Sequence, residues 1–204
     1  MSQGVKRRWI LASASPRRVE LMRELVPEFE VIPADIDEEA VKIVEPGELA
    51  CELARLKAWK VAEANPDATV LGADTVVSIP ITPTEWKTLG KPANPEEARE
   101  TLQVLSGRWH MVFTGVCVVT PEVKPKYPLR ESKFLGTTQV YFHELRPELI
   151  DSYIARRKPF DKAGSYGIQE IEDVFVERIT GSRKNVIGLP VEILQRELKR
   201  YRIL

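Results

Sequence analysis

Cysteine is scarce: Cys51 and Cys117 are the two in 204 residues. One lies in a helical stretch and the other in an apolar strand, so they read as buried thiols rather than a disulfide framework, which points to the cytosol. Net charge is missing too. Thirty basic side chains balance thirty acidic ones, so no global field steers the chain to a nucleic acid polymer or an anionic membrane. Any polyanion it binds must be small and held locally. No apolar run approaches the roughly 20 residues needed to span a bilayer. The basic start, Met1 to Arg8, is followed by too little apolar sequence for a signal peptide. Histidine is limited to His110 and His143, both in strands without a metal-ligand pattern, which assigns them to core or surface. GxxxxGK and GxGxxG are both absent, which removes Walker-type and Rossmann phosphate loops. There is no internal repeat and no low-complexity linker.

What is present is ordinary in bulk and unusual in detail. Hydrophobic residues make up 43% and charged ones 29%, the balance of a globular protein with a real core. Strand and helix signals alternate. Short strands are predicted at Trp9–Ala12 and Phe29–Pro33, a helix over Glu48–Ala64 opened by Pro46-Gly47, and a strand at Thr69–Val77. A proline-studded excursion follows from Pro80 to Leu89. Asn94-Pro95-Glu96-Glu97 starts a helix that stops at Gly107. Two long strands, Trp109–Thr120 and Lys133–Phe142, form a hairpin across a loop with Pro121, Pro125 and Pro128. A helix from Pro147 to about Arg157, a glycine-bearing loop to Glu170, a strand Val174–Ile179 and a helix from Pro190 to about Arg202 complete the chain. The pattern predicts an α/β fold: a mixed central sheet flanked by helices, one domain over 1–204. It has two lobes, one built on the hairpin and its following helix and one on the two chain ends, with a ligand cleft between them.

Several residues break their local pattern. Ser15 is a good N-cap and Pro16 fits the first helical position. Arg17 and Arg18 then occupy a first turn where the helix dipole favours acids, at a cost of roughly 0.3–1 kcal/mol each. An anion on the free N–H groups would turn that cost into binding. A solvated surface pair is the alternative; strand, small residues, cap and proline together favour an anion, and phosphate fits. Lys57 shares a helix face with Ala50, Leu53, Ala54 and Val61, so it either snorkels to solvent or points into a lined pocket. Asp74 interrupts an apolar strand, where an unpaired carboxylate is expensive. Beside a phosphate site it reads as a ligand for a divalent metal or a base for water, with Glu38 of the acidic loop as a second ligand. Lys91 sits on a rigid turn between Gly90 and Pro92.

These blocks, in this order, resemble the Maf family of nucleoside triphosphate pyrophosphatases. The similarity rests on Leu11-Ala12-Ser13-Ala14-Ser15-Pro16-Arg17-Arg18, Leu53-Ala54-Arg55-Leu56-Lys57-Ala58, Gly72-Ala73-Asp74-Thr75-Val76-Val77, Gly90-Lys91-Pro92 and Leu105-Ser106-Gly107. Asp161-Lys162-Ala163-Gly164-Ser165-Tyr166-Gly167-Ile168-Gln169 and Gly188-Leu189-Pro190 complete it, from about Ile10 to Leu194. The resemblance implies a two-lobed fold related to inosine triphosphate pyrophosphatases. It also implies hydrolysis of a nucleoside triphosphate to monophosphate and pyrophosphate with a divalent cation, Mg²⁺ or Mn²⁺, and a homodimer. Asp74 would be the catalytic acid–base residue. Ser13, Arg17, Arg18, Lys57 and Lys91 would contact the triphosphate, and Arg17, Thr75 and Gln169 would tune base preference. Ser165-Tyr166-Gly167-Ile168-Gln169 looks like the branch acting on dTTP and UTP rather than 7-methyl-GTP. That branch commonly has glycine where this chain has Glu170, which adds a charge beside the expected base pocket. A purine or modified nucleotide, or a non-catalytic nucleotide-binding regulator of septum formation, is the alternative; Asp74 favours the enzyme.

Overall fold

The computed structural model describes residues 7–121, 129–201 and 203. In chain order these form β1 (Trp9–Leu11), α1 (Pro16–Arg23), β2 (Glu30–Val31), α2 (Pro46–Ala62), β3 (Thr69–Pro80), β4 (Trp86–Leu89) and α3 (Pro95–Leu105). There follow β5 (Trp109–Pro121), β6 (Leu129–Phe142), α4 (Pro147–Arg157), α5 (Ile168–Phe175), β7 (Val176–Thr180), α6 (Arg183–Ile187) and α7 (Val191–Arg200). Single 3-10 turns occur at Glu38–Ala40 and Ala163–Ser165. The strands make one mixed sheet in the order β2-β1-β3-β5-β6-β7, with β4 also paired to β3.

One feature of the pairing creates the site. β1 runs parallel to β3 and pairs with Thr69 to Leu71; β4 runs antiparallel to the same strand and pairs with Val77 to Pro80. β5 pairs with the opposite edge of β3 without interruption from Val70 to Ser78. The β1–β4 edge of β3 is therefore open around Asp74, between the end of a parallel strand and the start of a hairpin. Ends of parallel strands where the connections diverge are common ligand positions in α/β sheets.

Helix α2 covers one sheet face through small residues, with Ala50, Ala54 and Ala58 fully buried. Two glycines allow this close approach. A Cβ on Gly72 would sit 2.4 Å from the Ala54 carbonyl oxygen, and one on Gly115 would sit 2.3 Å from the Ala50 carbonyl. Such distances leave room for no side chain. The other face carries two apolar clusters. Leu21 and Met22 of α1 and Leu194 and Leu198 of α7 pack with Leu71, Ala73, Val116 and Val118. Leu102 and Leu105 of α3, Ile150 and Ile154 of α4 and Ile168, Ile171 and Phe175 of α5 pack with Val77, Val112, Val140 and Phe142. The hairpin strands thus feed both halves rather than one, contrary to the division along the chain expected from sequence.

The hairpin itself is as expected, continuously paired from Trp109–Tyr141 to Pro121–Leu129; Pro125, Pro128 and Arg202 lie outside the described residues. Three elements differ, the first being α6, which lies in a stretch assigned no element from sequence. The excursion from Pro80 contains β4. The run Val174-Phe175-Val176 is split between α5 and β7, because Ile168, Ile171 and Phe175 at helical spacing all reach the core. Among the described residues, no helix is long and apolar enough to cross a membrane.

Candidate active site

The chain leaves β1 at the open edge of β3 and turns into α1. The Ser15 hydroxyl accepts the Arg18 N–H at 3.5 Å, and the first turn holds no acid. Arg18 is fixed on three sides. Its Nε donates to the Gly188 carbonyl at 2.9 Å, one Nη to Thr75 Oγ1 at 3.0 Å and the other to Ser13 Oγ at 3.3 Å. Gly188 adopts a φ of 126°, which favours glycine, and thereby turns that carbonyl toward the guanidinium. The Thr75 hydroxyl bonds Thr114 at 3.1 Å, and Thr114 donates to the Asn185 carbonyl at 2.8 Å. This chain of donors ties α1 to the sheet. Burial lowers the Arg18 pKa from its ordinary value; the Asp74 carboxylate opposes it and Arg17 adds to it.

Lys57 points into the cleft. Its side chain is 10% exposed, and Nζ lies 2.5 Å from Asp74 Oδ1 and 2.7 Å from Glu38 Oε1. The snorkelling alternative is thus excluded. Lys91 approaches the second Glu38 oxygen at 3.9 Å. Burial works to raise the Glu38 carboxyl, but the hydrogen bond and charge of Lys57, with Lys91 and Arg18, outweigh it and hold the carboxyl below its ordinary value. Arg17 reaches Asp161 Oδ2 at 3.1 Å, and the other Asp161 oxygen accepts Lys162 Nζ at 2.8 Å.

These side chains surround one cleft of about 470 Å³. The nine residues expected from sequence to act on the metal, the phosphates or the base all line it: Ser13, Arg17, Arg18, Glu38, Lys57, Asp74, Thr75, Lys91 and Gln169. Gln169 is exposed, in the first turn of α5. Two further charged lining residues were missed, Asp161 and the buried Lys162. Adjacent opposite charges in a glycine-bearing loop read as a solvated pair, and the burial of Lys162 gives no local sequence signal. The cleft sets five cations, Arg17, Arg18, Lys57, Lys91 and Lys162, against three carboxylates, Glu38, Asp74 and Asp161. That excess suits a polyanion.

Glu170 departs from expectation. It is not among the lining residues; its carboxylate turns back to accept the Tyr153 hydroxyl at 2.9 Å and to approach Lys162 at 3.7 Å. His110 belongs to the core: fully buried, Nε2 2.8 Å from the Tyr166 hydroxyl, its pKa pushed down to about 3 by burial and by Arg108. His143 is exposed.

Glu38 and Asp74 converge on a single cation, the Lys57 ammonium, in a setting of hard oxygen donors. That geometry fits a divalent ion of the magnesium type, which takes one or two carboxylates and completes its shell with water and substrate phosphate. Among the described residues, no group of three or more His, Cys, Asp or Glu side chains forms a self-sufficient metal cage.

The fold places the chain in a recognisable structural class. It superimposes on the Staphylococcus aureus Ham1 protein with a TM-score of 0.52 at 17% identity, covering 96% of this chain and 100% of that one, a likeness of fold. Over residues 8–201 it matches the Maf-like protein family, and it belongs to that family. It is 44% identical to a dTTP/UTP pyrophosphatase of Bacillus cereus (strain ATCC 14579), over 97% of both chains. A dTTP/UTP pyrophosphatase of Bacillus anthracis (strain CDC 684) is equally similar, 44% identical over 97% of both chains.

Proposed function

We propose that this protein hydrolyses nucleoside triphosphates, dTTP and UTP foremost, to the monophosphate and pyrophosphate. The observation that carries the reading is the meeting of Lys57 with Asp74 and Glu38 in a cleft that also holds Arg17, Arg18 and Lys91. Relatives 44% identical over nearly the whole chain bear the name dTTP/UTP pyrophosphatase.

Arg17, Arg18, Lys57, Lys91 and Lys162 hold the triphosphate and offset the charge of the phosphoryl transition state. The Ser13 hydroxyl and the Arg17 N–H in the first turn of α1 add neutral donors. Thr75 keeps Arg18 aimed at the phosphates. Asp74 takes a proton from water as its oxygen bonds to the α-phosphorus; the bond to the bridging oxygen breaks and pyrophosphate leaves. A divalent cation on Asp74 and Glu38 supplies charge neutralisation and water activation when bound. Lys57 would then hand these carboxylates over and turn to the phosphates.

At the base end, the Gln169 amide offers a donor and an acceptor to the adjacent O4 and N3–H of uracil or thymine. The sheet runs unbroken through both apolar clusters, which supports one domain over 1–204; two unpaired cysteines support the cytosol, and the family likeness a homodimer. The test is kcat/KM for dTTP, UTP, CTP, GTP and 7-methyl-GTP with released pyrophosphate as readout. dTTP and UTP should lead by at least ~10-fold, the scale of about one net hydrogen bond to the base edge. Preference for either guanine nucleotide would overturn the base assignment.

A further inference from the structure

Behind Gln169, Gly167, Tyr153 and Glu170 form a closed arrangement that the proposed chemistry does not use. Gly167 is the N-cap of α5 and has no side chain to cap it. Its own N–H donates instead to the Tyr153 hydroxyl of α4 at 3.1 Å. That hydroxyl donates onward to Glu170 Oε2 at 2.9 Å, and the second Glu170 oxygen lies 3.7 Å from Lys162 Nζ. Gln169 is thus held between two anchored neighbours, Gly167 and Glu170. The space behind the turn is full. A Cβ on Gly167 would lie 3.0 Å from Lys162 Cε and 3.2 Å from Glu170 Cδ.

We infer that Tyr153 and Glu170 are a positioning pair, which fixes Gln169 at the base end of the cleft and so sets nucleobase discrimination without touching the nucleotide. The inference rests on the reading of Gln169 as the residue that meets the base. Three features support the pair as a rigid brace. Tyr153 is buried and its ring meets Phe175 edge-on, centroids 5.3 Å apart, so the phenol cannot swing. Burial pushes the phenol pKa well up, with the Glu170 carboxylate adding to the rise, so the hydroxyl remains a donor at neutral pH. Glu170 also sits in the first turn of its helix, where the dipole favours a carboxylate. Its charge is therefore spent on the turn and on Lys162, not on the base.

A purely structural brace would weaken all binding alike; a brace for Gln169 weakens the contribution of the base. The probes are the α,β-imido analogue of dTTP and base-free tripolyphosphate, titrated calorimetrically with magnesium present. The quantity read is the ratio of their affinities, and neither titration requires turnover. Tyr153→Phe keeps the ring and removes the hydroxyl; the ratio should fall about fivefold, the scale of one net hydrogen bond, with tripolyphosphate binding within about twofold of wild type. Glu170→Ala should lower the ratio similarly, and Glu170→Gln, which retains a carbonyl acceptor for Tyr153, should restore it. Should Tyr153→Phe fail to fold, the Ala and Gln variants at Glu170 decide alone. An unchanged ratio in Tyr153→Phe and Glu170→Ala, parallel losses for both probes, or a wild-type ratio of one would each overturn the inference. Hydrolysis of dTTP and UTP by the wild type is read separately and tests only the pyrophosphatase reading.

Discussion

Lys57 pairs with two carboxylates of the cleft at once, Asp74 and Glu38. Its ammonium separates two carboxylates that would otherwise repel across the open edge of β3. The helix pattern alone left snorkelling and inward orientation equally open. The direction is decided by tertiary packing, because Gly72 lets α2 sit so close that the Lys57 stem has the cleft as its outlet. Lys57→Ala should reduce kcat/KM for dTTP by about 30-fold, equivalent to about 2 kcal/mol for a charge-assisted contact to phosphate. It should also lower Tm, since Asp74 and Glu38 are left facing each other without their cation. Steady-state kinetics and a thermal scan check both. Arg17, Arg18 and Asp74 were legible in the sequence because each places a charge where the local pattern disfavours it, whereas Lys91 was marked by its rigid turn between Gly90 and Pro92 and by the motif blocks. Lys162 violates no local rule. Its burial arises from Asp161, Glu170 and the turn at Ala163–Ser165, contacts that no short window of sequence contains.

At the scale of elements, the site depends on how flat α2 lies on the sheet. Ala50, Ala54 and Ala58 meet Gly72 and Gly115 with no layer of larger side chains between them. Gly72→Ala would put a methyl group 2.4 Å from the Ala54 carbonyl oxygen, and backbone must move. Overpacking of this kind costs about 2–3 kcal/mol, an expected Tm loss of about 5–10 °C for a chain of this size. Because α2 carries Lys57 and β3 carries Asp74 two residues beyond Gly72, kcat/KM should fall with Tm; an unchanged Tm would refute this account of the packing. The long, strongly patterned elements were legible, α2, α3 and the hairpin among them. The boundary between α5 and β7 was not, because Val174-Phe175-Val176 satisfies strand propensity locally. The helical spacing of Ile168, Ile171 and Phe175 prevails by burying all three in one cluster. β4 was masked by the prolines before it, and only its ladder with β3 defines it.

The whole molecule is one mixed sheet whose central strand β3 is left open at one edge around Asp74, with the cleft entering there between two apolar clusters. The ordering of the motif blocks foreshadowed the fold and the identity of the lining residues. The open edge itself was not foreseeable, since it arises from β1 and β4 sharing one side of β3 at different heights. The proposed function makes a specific claim about chemistry: water attacks the α-phosphorus and the pyrophosphate departs intact. The direct measurement is hydrolysis of dTTP and UTP in ¹⁸O-labelled water, with products resolved by ³¹P NMR and mass spectrometry. The account predicts one ¹⁸O in the nucleoside monophosphate and unlabelled pyrophosphate. Label in the pyrophosphate, or release of orthophosphate and a nucleoside diphosphate, would contradict it.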